Sequence, residues 1–381
     1  MIPYGRQAVD EDDIRAVVEV LRSDWLTTGP LVGRFEETFA QAVGARHAVA
    51  FSSGTAALHG SMHAAGIGPG DEVVVPPMTF AASANSIVFQ GGTPVFADVD
   101  PGTLLIDPRC AADRIGPKTK AMIAVDYAGH PCDYGVLQGL ARERGLILVA
   151  DACHALGATL DGRPAGCLAD MTAFSFHPVK HITTGEGGMV TTDSPEFAER
   201  LRRFRNHGID ADHRQREEKG QWFYEMVDLG YNYRITDFQC ALGLSQLAKL
   251  PAWIGRRQAI AARYDRALAG IPGVRPIAVR AGVSHAYHLY VVRIDGRKAG
   301  IERDGVFQAL RAAGIGVNVH YIPVHLHPFY RNRFGTAPGL CPVAEAAYGE
   351  ILSLPMFPTL TDSEVDRVVD TLAHVVSPER R

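Results

Sequence analysis

Lys180 closes the run Phe174-Ser175-Phe176-His177-Pro178-Val179-Lys180, just ahead of Thr183-Thr184-Gly185-Glu186-Gly187-Gly188. A lone lysine passing from a strand-forming run into glycines fits a Schiff-base lysine. Its neutral amine attacks a carbonyl or a cofactor aldehyde once a dry site has depressed its pKa. An isolated lysine is ordinarily a surface residue, so the reading rests on its company. Leu148-Val149-Ala150-Asp151-Ala152-Cys153-His154 places Asp151 at the carboxyl end of an apolar strand, the edge of an α/β sheet where ligands bind. A carboxylate there can keep a pyridinium nitrogen protonated, which makes the ring an electron sink. The competing role, a helix N-cap, is weakened because Asp161-Gly162-Arg163-Pro164 follows without a helical pattern. His154, three residues on, can reach the same ring.

Three further turns add to this set. Phe51-Ser52-Ser53-Gly54-Thr55-Ala56-Ala57-Leu58 joins a strand to a helix, and its small residues leave the first helical N–H groups open to a phosphate; an ordinary Ser/Thr N-cap is the even alternative. Phe80, in Pro77-Met78-Thr79-Phe80, ends another strand where an aromatic ring can stack on a planar cofactor. Tyr231-Asn232-Tyr233-Arg234 alternates polar and aromatic groups and says little alone. Gly66-Ile67-Gly68-Pro69-Gly70 follows a helix and precedes a strand, the reverse of a dinucleotide fingerprint, and reads as a helix C-cap. His59 and His63 are four apart, but Gly60-Ser61-Met62 between them lacks the acid of a zinc motif. His320, His325 and His327 likewise have no carboxylate or cysteine at a ligand spacing. No metal site is expected.

The elements that must position these residues alternate from about residue 45. Strands are predicted over His47–Ser52, Glu72–Pro76, Pro94–Asp98, Ala121–Asp126, Ile147–Asp151, Met171–Phe176 and Gly188–Thr192. Crossover helices are predicted over Gly54–Ala65, Ala81–Gln90, Tyr134–Arg144 and Pro195–Asn206. That pattern gives an α/β fold with a seven-stranded, mostly parallel sheet. After Pro251 a helix over Ala252–Leu268, a strand over His288–Ile294 and a helix over Arg303–Ala313 indicate a smaller C-terminal α+β domain. The expected division is an N-terminal segment 1–30 reaching the active site, a large domain 31–250 and a small domain 251–381. Asp210–Gln221 is charge-dense and reads as a solvated loop.

Composition bounds the partners. The 381 residues carry 38 Lys and Arg against 42 Asp and Glu, so a nucleic-acid footprint is not expected. No apolar run spans a bilayer and the N-terminus has no signal-peptide pattern, so a soluble cytoplasmic protein without membrane partners is expected. Six cysteines without a CxxC pair fit reduced thiols.

Together, Ser53-Gly54-Thr55 at a helix start, Asp151 with His154, and Ser175-Phe176-His177-x-x-Lys180 resemble the DegT/StrS family of nucleotide-sugar aminotransferases dependent on pyridoxal 5′-phosphate (PLP), from about Tyr4 to Pro355. Val125–Gly129, His177–Gly188, Tyr231–Arg234 and Ala241-Leu242-Gly243-Leu244-Ser245-Gln246-Leu247 look like the branch that makes pseudaminic acid-type sugars. Enzymes of that branch aminate C4 of a UDP-linked 4-keto-6-deoxy-N-acetylhexosamine with L-glutamate as donor. The resemblance implies a fold type I homodimer with shared active sites. It makes Lys180 the cofactor-linked lysine, Asp151 the partner of the pyridine nitrogen and His154 a neighbour of the phenolic oxygen. Phe80 would stack on the ring; Gly54, Thr55 and Ser175 would hold the phosphate, with Asn232 arriving from the partner subunit. Tyr4, Asp24-Trp25-Leu26-Thr27 and Asn318-Val319-His320-Tyr321 would meet the nucleotide sugar. Two departures stand out: His181 occupies a proline slot, and Asn318 a glutamine slot. The alternatives are a dTDP- or GDP-linked keto sugar as substrate, a sugar dehydratase, which carries histidine in place of the lysine, and a non-enzymatic binding or regulatory protein with the same fold.

Overall fold

The structure, a computed structural model, describes residues 1–210, 216 and 220–376; the predicted loop Asp210–Gln221 lies largely outside them. Five strands run parallel in one sheet: β2 (Glu72–Val75), β3 (Thr93–Phe96), β4 (Thr119–Val125), β5 (Ile147–Asp151) and β8 (Met171–Ser175). β9 (Gly188–Thr192) pairs antiparallel with both β8 and β1 (His47–Phe51), so β1 points the same way as the parallel strands. The order is β1-β9-β8-β5-β4-β2-β3. Between β5 and β8 lie the two-residue strands β6 (Thr159–Leu160) and β7 (Arg163–Pro164).

All seven predicted strands and four crossover helices are present, within about two residues at each end. The helices are α3 (Gly54–Ala64), α4 (Ala81–Phe89), α6 (Tyr134–Arg144) and α7 (Pro195–Arg205). Parallel strands covered on both faces must be apolar throughout, which is why their sequence runs are so legible. The topology gathers the carboxyl ends of β1, β2, β4, β5 and β8 along one edge. Ser53-Gly54-Thr55, Thr79-Phe80, Asp126, Asp151–His154 and Ser175–Lys180 each follow one of those ends.

Among the helices not anticipated are three that precede β4 in the chain: α1 (Glu11–Leu21), α2 (Pro30–Ala42) and α5 (Pro108–Arg114). Their start signals are local. Asp10 and Asp13 form a reciprocal capping box at α1, and Pro30 and Pro108 occupy the first helical positions of the others.

A single helix, Asp237–Leu268, runs through Pro251. The expected start at Ala252, and with it the boundary after residue 250, therefore falls inside a continuous helix. An internal proline costs about 3 kcal/mol. Packing offsets it, because Cys240, Leu247, Leu250 and Ile254 enter one apolar cluster and Ile260, Ala261, Tyr264 and Leu268 another. The second cluster lies under an antiparallel sheet of β10 (Val274–Pro276), β12 (Tyr290–Ile294) and β13 (Ile351–Leu354), together with helices Arg303–Ala312 and Asp362–Val375. β11 (Val283–Ser284) pairs with β6. The Ala241–Leu247 motif has a structural task here. Ser245 Oγ and Gln246 Nε2 donate to the buried Asp13 carboxylate at 2.5 and 2.6 Å, and Lys249 Nζ joins them at 2.8 Å, tying α1 to the long helix.

Candidate active site

The strand ends open into a cavity of about 510 Å³ lined by Gly54, Thr55, Phe80, Asp151, His154, Ser175 and Lys180, with Tyr4 and Asn318–Tyr321 at the same space. Twelve of the residues singled out from sequence thus meet at one place. Asn232 and Asp24–Thr27 do not line it. Asn232 and Trp25 lie exposed, and the two segments are neighbours: Thr27 bridges Thr236, and the Asp237 N–H donates to the Leu26 carbonyl at 3.0 Å.

Lys180 leaves β8 through a turn in which its N–H donates to the His177 carbonyl at 2.9 Å. Burial holds its ammonium below the usual lysine range, while Cys153 and Asp151 pull the other way. Gly188, behind it, is there for close approach. A Cβ on Gly188 would come within 2.4 Å of the Ser53 carbonyl oxygen, so only glycine lets this loop press against the start of α3. Gly54 is crowded from the other side, where a Cβ would lie 2.8 Å from Ser175 Cβ. Ser53 is the N-cap, accepting from the Ala56 N–H at 3.1 Å, and the N–H groups of Gly54 and Thr55 have no acceptor within the helix. The two readings of this turn therefore hold together: a capped helix whose first turn can receive a phosphate.

Asp151 is buried with both oxygens engaged. Oδ2 accepts from Ser83 Oγ at 2.6 Å and Oδ1 from the Cys153 N–H at 3.2 Å. The Phe80 ring is 60% exposed although large and apolar, so it offers an uncovered face to the cavity. His154 Nε2 meets Tyr321 Oη at 3.1 Å. Burial, then the charge of Lys180, pushes His154 well below the usual histidine range. His320 is pushed down to about 4, chiefly by burial, and its Nδ1 faces Ser353 Oγ at 2.8 Å. A phosphate cradle, a carboxylate at the far end, an uncovered aromatic face and a lysine of depressed pKa match the parts of PLP.

Sequence reasoning missed Thr79, Ser83, Cys153 and His288. Thr79 lies before the N-cap of α4 and Ser83 in its first turn, and the bend between them brings the two hydroxyls to 2.6 Å. The two departures sit differently. His181 is buried with Nε2 3.2 Å from the Ala286 carbonyl, outside the cavity. Asn318 lines the cavity but turns its amide on its own segment, Oδ1 accepting from the Val319 N–H at 2.8 Å and Nδ2 meeting His320 Nε2 at 3.3 Å. The histidines weighed as metal ligands have other partners: His59 faces Tyr233 Oη and Gln90, His63 faces Asp228, and His325 faces Glu345.

Behind Asp151, the Asp126 N–H donates to its carbonyl at 3.0 Å. Burial pushes the Asp126 carboxyl up to about 7, against hydrogen bonds from the Cys132 N–H and Tyr134 Oη, each at 2.8 Å. Since the folded value lies above the unfolded 3.8, the neutral acid favours the fold. That stability is complete below pH 4 and is lost as pH rises to about 7, up to about 4 kcal/mol. Asp126→Asn should flatten this part of the stability profile. Thermal melting of both proteins from pH 4 to 8 checks it, and parallel curves would refute the assignment.

Comparison with known proteins agrees with this geometry. Residues 7–373 match the model of the DegT/DnrJ/EryC1/StrS aminotransferase family. The chain is 43% identical over 377 residues to the Bacillus subtilis spore coat polysaccharide biosynthesis protein SpsC, covering 98% of this chain and 97% of that one. Spr1654 from Streptococcus pneumoniae in its form with the aminated cofactor PMP superposes with a TM-score of 0.93 at 35% identity, covering 99% of both chains; its PLP form is also known. Helicobacter pylori PseC, an aminotransferase of pseudaminic acid biosynthesis, gives 0.91 at 32% identity over 98% of each chain. With PLP as its cofactor, the chain belongs to the DegT/DnrJ/EryC1/StrS aminotransferase family.

Proposed function

We propose that the protein transfers the amino group of L-glutamate to C4 of a UDP-linked 4-keto-6-deoxy-N-acetylhexosamine, working as a cytoplasmic homodimer. The observation that carries the reading is the single cavity in which Lys180, Asp151 and the Gly54–Ser175 cradle meet Tyr4 and Asn318–Tyr321. When bound, PLP supplies a pyridinium ring that takes up the electron pair left by C–H cleavage. In this assignment Gly54, Thr55 and Ser175 hold the phosphate, Phe80 covers the ring and Asp151 holds the ring-nitrogen proton. His154, neutral and braced by Tyr321, lies beside the phenolic oxygen. Lys180 Nζ, whose charged form burial disfavours, takes the proton from the glutamate α-carbon. In the second half of the ping-pong cycle it delivers one to C4 of the sugar.

The dimer is supported by what the cavity lacks. Asn232 is exposed on the segment that also carries exposed Trp222, Phe223, Met226, Val227 and Leu229, and Thr27 bridges Thr236 four residues further on. Such an apolar stretch favours burial against a second copy, which would present Asn232 and Asp24–Thr27 to that copy's cavity. The likeness to PseC supports the pseudaminic branch, and UDP as carrier rests on the sequence motifs that resemble that branch.

The test is a panel of UDP-, dTDP- and GDP-linked 4-keto sugars offered to the glutamate-reduced enzyme, with products identified by NMR. The UDP-linked N-acetyl sugar should restore the visible band at least about tenfold faster than the others, a difference of about 1.4 kcal/mol. A preference for a dTDP- or GDP-linked sugar would assign the enzyme to that substrate class instead.

A further inference from the structure

Ser83 stands in the first turn of α4, where a serine hydroxyl commonly turns back on the helix. Here that option is poor, since the Phe80 carbonyl lies 3.4 Å away. The hydroxyl instead sits 2.6 Å from Asp151 Oδ2, the separation of a charge-assisted O–H···O⁻ bond. Its one proton is thereby committed. Thr79 Oγ1, also 2.6 Å from Ser83 Oγ, must then be the donor in that second bond. Both hydroxyls are buried, so water does not compete. With the Cys153 N–H on Oδ1, the chain Thr79–Ser83–Asp151 fixes the plane of the carboxylate.

We propose that Ser83, seconded by Thr79, is a positioning residue that aims Asp151 at the ring nitrogen of PLP. This rests on the role given to Asp151 above. Ser83 touches neither the reacting carbon nor the transferred proton, and it acts only through the carboxylate. A threonine at 83 keeps the donor, whereas an alanine leaves Oδ2 without one and lets the carboxylate turn away.

A double-mutant cycle tests this on the full-length protein. Apoenzymes of wild type, Ser83→Ala, Ser83→Thr, Asp151→Asn and the Ser83→Ala/Asp151→Asn pair are titrated with PLP. The reconstituted forms are then mixed with saturating glutamate, and the loss of the visible band is timed. Ser83→Ala should weaken PLP binding and slow band loss by about tenfold, as removal of a bond that orients a ligand-holding group commonly does. Ser83→Thr should restore both, and on the Asp151→Asn background Ser83→Ala should change either by less than about twofold. If Asp151→Asn is defective while Ser83→Ala matches wild type, or if the two losses multiply, Ser83 does not act through Asp151 and the proposal fails. If Asp151→Asn itself matches wild type, the role of Asp151 falls and this inference falls with it.

Discussion

Lys180→Ala should reduce amino transfer by about 10⁴-fold, the upper end of what a positioned acid–base group contributes. The cavity offers little in its place. His154 is buried and pushed well below the histidine range, its Nε2 is engaged by Tyr321, and Asp151 is held by Ser83 and Cys153. Neither can take the place of a basic amine whose charged form burial disfavours. The Gly54–Ser175 cradle is built without Lys180, so the variant should still bind PLP, now reversibly removable by dialysis. Added methylamine should recover part of the lost rate by entering the space the side chain vacates. Single-turnover loss of the visible band with glutamate checks the rate; retention of more than a hundredth of it would move the proton-transfer role to another residue.

Two inactive chains should repair one another. With Asn232 at the phosphate of the other subunit's site, as proposed, Asn232→Asp brings a negative charge beside that phosphate, and like charges brought together cost several kcal/mol. The Asn232→Asp and Lys180→Ala homodimers should each be nearly silent. In a mixed dimer, a site built from the Lys180 of one chain and the Asn232 of the other is intact. Random pairing then gives about a quarter of wild-type activity, because half the dimers are mixed and each has one good site. If Asn232 served its own chain, no mixture would exceed the parents. Co-expression with two affinity tags, isolation of the mixed species, expected at about half of wild-type activity, and assay with glutamate decide between these.

The large sheet was legible because parallel strands buried on both faces have no polar alternation to blur them, and each ends in a turn of small or polar residues. The cavity residues were legible for a related reason: Gly54, Asp151, Ser175 and Lys180 each stand at the end of an apolar run, where the residue type changes. Ser83 and His288 were not, since a serine in a helix and a histidine ahead of a strand have ordinary structural uses, and only their neighbours give them others. The long helix was misjudged at Pro251 because local propensity predicts a break, while the two apolar clusters that grip the helix on either side are assembled from residues far apart in sequence. His181, the departure beside Lys180, has its place set by the fold rather than by its neighbours in sequence, since the chain turns it inward to the Ala286 carbonyl.

That proline-containing helix has a consequence for how the molecule comes apart. One rod supplies side chains to two cores, β11 borrows β6 as its partner, and Ile277, Leu289, Val291 and Ile351 pack into the core of the large sheet. Loss of either core strips apolar surface from the other, and a chain cut at residue 250 would sever the rod midway. The cavity walls, drawn from both sides of that cut, are thus kept or lost together, and the site melts only when the whole protein does.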